Sequence, residues 1–174
     1  MIYFDEDKNA YNSKETIKNW GKTCIYECSD EKYSEFLDKK YIWENNILVE
    51  NPCYDLILLE RAKKERTETN DKLRNICLIK GVTYNNILFD SDTEQKVNLS
   101  TALRQFENPE VKSITWYGMD NTPLECTKED LINISALIAR LHSFCWMKNA
   151  EIKEQIKKAG TIEEVENIEV NYEN

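Results

Sequence analysis

Gly81-Val-Thr-Tyr-Asn-Asn-Ile-Leu-Phe-Asp90 holds two short β-leaning runs, Val82–Tyr84 and Ile87–Phe89, on either side of Asn85-Asn86. Asn tolerates positive φ, so the stretch reads as a tight hairpin. Gly81 in front of it suits the left-handed residue that closes a helix. Behind it, Asp92 or Thr93 can cap a helix that carries Val97, Leu99, Leu103 and Phe106 and must stop before Pro109. Helix, hairpin and helix in such close succession predict an α+β fold.

Working outward toward the C-terminus, Ser113–Tyr117 and Pro123–Cys126 read as a second strand pair around Gly118 and Asp120-Asn121. Thr127 is a helix cap whose bond Asp130, three residues on, can return. From Leu131 the apolar residues fall at Ile134, Ile138, Leu141, Cys145, Ile152 and Ile156, close to the 3.6-residue period of a helix. About 30 such residues make a helix about 45 Å long. Leu131, Ile134, Ile138 and Leu141 suit either an intramolecular core or a self-association seam, and intramolecular packing is the expectation, in a monomer or small homo-oligomer. After Gly160, Thr161-Ile-Glu-Glu164 reads as a capping box for a closing helix.

Toward the N-terminus, Ser29 can cap a helix over 30–38 with Tyr33, Phe36 and Leu37 on one face, and Thr23–Glu27 is a short β-leaning run. Tyr41-Ile-Trp43 and Ile47-Leu-Val49 flank Asn45-Asn46, a second hairpin built like the first. Pro52 ends this unit, and a helix from about Tyr54 to Ile79 follows. Its middle, Lys63–Lys72, is polar all round, which predicts a solvent-exposed bridge. The expected organisation is therefore two small units with short hairpins and helices, joined by a charged helix, with one long amphipathic helix near the C-terminus. The divisions are 1–52, a linking helix over 53–80, and 81–174.

The chain has 174 residues, enough to bury a core, and a net charge of −9. That charge disfavours direct binding to nucleic acid or an anionic membrane surface. The start, Met1-Ile-Tyr-Phe-Asp-Glu-Asp-Lys8, does not resemble a signal peptide, and no apolar run approaches the roughly 20 residues needed to span a bilayer. A cytoplasmic protein is the expectation, and its six cysteines (Cys24, Cys28, Cys53, Cys77, Cys126 and Cys145) are then expected as reduced thiols.

Little in the sequence speaks for catalysis, and no enzyme activity or cofactor is expected. GxGxxG, GxxxxGK[ST] and HExxH are all missing from it. The single histidine, His142, shares a helical face with Cys145. A Cys–His pair without an orienting third group is a poor nucleophile, and a core or boundary histidine is the plainer reading. Cys24, Cys28, His142 and Cys145 together offer four soft ligands, the number a structural zinc takes. Their spacing is not CxxC, and core packing accounts for them equally well. Asp90, Asp92 and Glu94 form an acidic cluster ahead of a helix, where they complement its positive end. Aromatic residues in acidic surroundings suit core positions or protein-interface anchors better than base stacking. Trp43, Trp116 and Tyr117, with Asp120, Asp90, Asp92 and Glu94, are the candidate partner-binding residues.

Residues 74–172 resemble a phage domain of unknown function found at or near the end of tail-fibre and tail-fibre-assembly genes. The likeness runs through Leu73-Arg-Asn-Ile, Tyr84-Asn-Asn-Ile-Leu-Phe-Asp-Ser-Asp92, Ile114-Thr-Trp116, Asp120-Asn121, the helix bearing His142, and Ala159-Gly-Thr-Ile-Glu-Glu-Val165. The first half is similar to the tail-fibre-assembly layout at Ile25-Tyr-Glu-Cys-Ser-Asp-Glu-Lys-Tyr33 and Trp43-Glu-Asn-Asn-Ile-Leu-Val-Glu-Asn-Pro52. The family often has Gly in the turn where this chain has Asn85-Asn86. The resemblance implies a non-enzymatic phage or prophage protein, with a tail fibre as its partner, in the host cytoplasm or associated with the virion. The alternative, from the acidic balance, is an inhibitor of host defence. It would occupy the basic groove of a guide-loaded CRISPR nuclease, a type VI RNA-cleaving effector being one target class.

Overall fold

In the computed structural model, which describes residues 1–173, the chain forms two compact units, Met1–Glu60 and Arg61–Asn174. The boundary falls inside the helix that covers Tyr54–Leu78.

The first unit is built on β1 (Ile2–Asp5), the middle strand of an antiparallel three-stranded sheet. β2 (Ala10–Tyr11) lies on one side and β3 (Cys24–Cys28) on the other. Between them runs the short α1 (Lys14–Asn19), capped by the Ser13 hydroxyl. Ser29 caps α2 (Asp30–Leu37) as expected, its hydroxyl accepting from the Lys32 amide. The hairpin β4 (Tyr41–Glu44) and β5 (Ile47–Glu50) turns on Asn45 and Asn46, both at positive φ. Phe4, Cys28 and Leu48 form its buried centre. The Trp43 ring meets Phe4 edge-on at 5.0 Å, and Tyr33 and Phe36 close in at 5.8 and 6.1 Å. Leu37, expected on the apolar face of α2, is instead exposed.

Asp5 shows what a buried carboxylate needs. It is fully buried and accepts from the amides of Asp7 and Asn9, the Tyr11 hydroxyl and the Lys22 ammonium, all within 3.0 Å. Burial alone would raise its pKa, but the Lys22 and Asn9 hydrogen bonds outweigh it and hold the carboxyl well below the usual range. A depressed folded pKa contributes stability that is fully present above the unfolded value of about 3.9 and is lost as pH falls through the lower folded one. Acid titration followed by tryptophan fluorescence should show this loss below about pH 4. Asp5→Asn should be less stable at neutral pH and flatter over that acid stretch. A variant matching the parent at both pH values would show that Asp5 is not the linked group.

α3 (Tyr54–Leu78) runs through the boundary. Its polar middle is not the exposed bridge its composition predicts, because Asn70 is fully buried. The Asn70 amide donates to the Asn149 carbonyl at 3.1 Å and accepts from the Tyr172 hydroxyl at 2.6 Å. Asp71 takes a hydrogen bond from Asn149 at 3.0 Å and ion pairs from Lys153 and Arg74 at 2.7 and 3.1 Å. Arg66 donates to the carbonyls of Glu166 and Ile168. Hydrogen-bonding groups withdrawn from water need partners, and Asn70, Asn149 and Asp71 find theirs across the seam, whereas the buried Arg66 Nε has none among the described residues.

The second unit continues with the hairpin β6 (Val82–Tyr84) and β7 (Ile87–Phe89), turning on Asn85 and Asn86 at φ 49° and 64°. α4 (Thr93–Gln105) follows, capped by Asp92, which accepts from the Gln95 amide at 2.7 Å. The pair β8 (Ile114–Tyr117) and β9 (Pro123–Cys126) leads to α5 (Lys128–Lys158), whose capping box of Thr127 and Asp130 is complete. α6 (Ile162–Glu166) has Thr161 as its cap. The Glu164 carboxylate, however, turns back to the Gly160 amide, so this second capping box is only half made. Val82, Phe89, Leu99, Ala102, Cys126, Leu131, Ile134 and Ile138 form one buried cluster. Leu131, Ile134 and Ile138 thus serve an intramolecular core, with the half-buried Leu141 packed against it.

The cysteines depart from expectation. Cys77 on α3 and Cys145 on α5 are disulfide-bonded, while Cys24, Cys28, Cys53 and Cys126 are free. Packing α3 beside α5 brings the two Cα atoms to 6.5 Å, inside disulfide range. Compartment arguments from sequence do not register that proximity.

Candidate functional site

Strand alternation separates the candidates on β8. Ile114 and Trp116 turn inward against the core, and Thr115 and Tyr117 turn out. Trp116 therefore packs rather than presents itself, and its indole N–H is buried with no hydrogen-bond partner. Tyr117 is 58% exposed, at the mouth of the turn leading to β9.

That turn is held tightly. The Gly118 amide donates to the Thr122 carbonyl, the Asn121 amide to the Gly118 carbonyl, and the Met119 amide to the Leu88 carbonyl at 2.8 Å. The last bond ties the turn to β7. A side chain at Gly118 would start 2.5 Å from the Ile87 methyl and 2.9 Å from the Leu88 carbonyl, so only glycine fits. Gly81, at φ +85°, is equally confined, facing the Phe89 carbonyl at 2.7 Å and the Leu88 and Met119 side chains at 3.0 Å. Asp120 accepts from the Thr122 amide at 3.0 Å. Its hydrogen bonds from Thr122 hold the carboxyl below its usual value, so it is charged at neutral pH.

The result is a fixed surface corner with Leu88, Tyr117 and Met119 exposed and Asp120 beside them. Tyr117 and Asp120 were among the candidate partner-binding residues read from the sequence. Leu88 and Met119 were not, although Leu88 falls on the outward position of a hairpin whose Val82 and Phe89 face in. That alternation was the available signal.

The other candidates lie elsewhere. Asp92 caps α4, Glu94 sits in its first turn and Asp90 is half-buried ahead of it. All three suit the positive end of that helix. Trp43 belongs to the aromatic core of the first unit and is half-buried, with the Lys8 ammonium 5.9 Å over its ring. It stabilises that unit rather than standing out as an anchor.

The disulfide takes Cys145 out of both the nucleophile pair and the zinc set. His142 Nε2 lies 2.6 Å from the Ser91 carbonyl and Nδ1 3.3 Å from the Lys96 ammonium. Ser91 in turn donates to the Leu78 carbonyl and accepts from the Gly81 amide. His142 thereby serves to join α5 to the loop before α4. Burial, with the charges of Asp130 and Glu125, pushes the Cys126 thiol up to about 11, which leaves little thiolate at neutral pH. Among the described residues no three His, Cys, Asp or Glu side chains converge as metal ligands. No helix among them is long and apolar enough to cross a membrane.

The second unit is thus an α+β domain with a long helix, a polar seam between helices and a fixed apolar-acidic corner. Residues 59–172 match a domain of unknown function, DUF4376, and the chain belongs to that family. The match begins earlier than the resemblance drawn over 74–172 and takes in the polar middle of α3, whose Asn70 and Asp71 are integral to the unit. No curated protein and no solved structure matches the chain.

Proposed function

We propose that this is a phage or prophage protein that acts by binding another protein, as a tail-fibre assembly or fibre-tip accessory factor. The observation that carries the reading is the corner of Leu88, Tyr117 and Met119 with charged Asp120, fixed by the Met119–Leu88 backbone bond. Exposed apolar and aromatic side chains on a backbone that is already ordered lose little conformational freedom on docking, which is what a protein-recognition patch requires. The partner is the C-terminal part of a tail fibre encoded in the same genome. A second reading, inhibition of a guide-loaded CRISPR nuclease, is favoured by the net charge of −9, which suits a basic groove.

Co-expression of the chain with that fibre segment should yield a complex stable to moderate salt. Leu88→Asp combined with Met119→Asp should weaken it more than tenfold, an expectation based on the loss of about 1.4 kcal/mol or more at an interface centre. Asp92→Asn should leave it unchanged. If the fibre is not retained, while a guide-loaded nuclease is retained at low salt and inhibited, the second reading replaces the first.

A further inference from the structure

The outer face of α5 carries its own pattern, distinct from the buried one. Ile132, Ala136, Ala139, Ser143, Trp146 and Ala150 are all exposed and succeed one another at spacings of four, three, four, three and four. That is the seam period of paired helices. Ile132 and Trp146 are 48% and 53% exposed, and Met147, at the edge of the same face, is 73% exposed. The Trp146 ring is covered on one side by the Arg74 guanidinium at 4.3 Å, which steadies it while leaving its edge open.

We propose that this face pairs with the same face of a second copy, with the two α5 helices antiparallel and crossing at the level of Leu141. A twofold axis there sets Ile132 against the partner's Ala150, Trp146 against the partner's Ala136, and Ala139 against the partner's Ser143. Each large side chain meets a small one, which permits the 8–10 Å approach of packed helices. The same operation sets Lys128 against the partner's Glu154, both exposed and opposite in charge. A parallel pairing loses both features, placing Trp146 on Trp146 and Lys128 on Lys128. The occupant is therefore a second copy in one orientation.

From Ile132 to Ala150 the seam is about 27 Å long at 1.5 Å per residue. A single helix pair of that length falls below the roughly 1,200 Å² of a standard stable interface, so the dimer is a weak one with Kd in the micromolar range.

Sedimentation equilibrium of the full chain from about 1 to about 300 μM spans that range. The mass should rise from 20.6 kDa toward twice that value. Ala139→Arg, next to the axis and on an exposed helical position, should remain monomeric throughout with an unchanged circular dichroism spectrum. Lys128→Glu should weaken pairing about 5- to 10-fold, because the axis repeats the repulsion twice. Adding Glu154→Lys to it should restore the affinity. A parent chain that stays monomeric at about 300 μM overturns the proposal. So does a dimer that tolerates Ala139→Arg, or a Lys128→Glu defect that Glu154→Lys does not rescue.

Discussion

Replacing Cys77 and Cys145 together by alanine should lower the stability of the second unit by about 4 kcal/mol, roughly 15 °C in Tm for a unit of this size. The bond closes a loop with a sequence separation of 68. Loop-closure entropy removed from the unfolded chain grows with the logarithm of that length. The bond joins α3 to α5 beside a seam otherwise made of hydrogen bonds and ion pairs, such as Asn70–Asn149 and Asp71–Lys153. Such polar contacts contribute modestly to net stability. Urea unfolding with and without a dithiol reductant measures the effect: reductant should bring the parent close to the double variant and leave the variant where it was. A thiol reagent applied to the unfolded, unreduced chain should find Cys24, Cys28, Cys53 and Cys126 only, and all 6 cysteines after reduction. A parent indifferent to reductant, with every cysteine reactive before it, would mean the two helices are not joined.

The second half of the fold was legible because its signals are local. Asn85-Asn86 adopts the positive φ that a two-residue hairpin requires, Asp92 and Thr127 cap the helices they precede, and the apolar period of α5 runs along one buried face. Signals that depend on distant partners were not legible. Nothing within α3 distinguishes Asn70 from its solvated neighbours, since its partners are Asn149 and Tyr172. The same holds for Asp5, which reads as a surface carboxylate until Lys22 closes over it. β1, β2 and α1 escaped notice because each is six residues or shorter and, unlike the equally short β6, β7 and α6, carries no Asn-Asn turn or capping box to mark it. Tyr117 and Asp120 could be placed by the turn they flank. The corner as a whole could not, because it forms only when the Met119 amide reaches the Leu88 carbonyl.

Phe89→Ala should destabilise the second unit by about 3–5 kcal/mol, the usual cost of deleting a buried aromatic ring. Phe89 has no exposed surface and belongs to the cluster that includes Leu99, Leu131 and Ile134. Its strand partner Val82 faces inward beside it. The walls of the vacated space lose the contacts that the ring made. Leu88, one residue earlier and 43% exposed, sits on the opposite face of the strand, and Leu88→Ala should cost no more than about 0.5 kcal/mol. Chemical denaturation of the two variants side by side therefore tests the register of β7 directly. A one-residue slip would exchange the two results. The comparison also separates folding from binding. A Leu88 variant that keeps its stability yet loses the fibre segment would tie recognition to the corner. A Leu88 variant that unfolds would instead assign that residue to the core and remove the corner as a recognition surface.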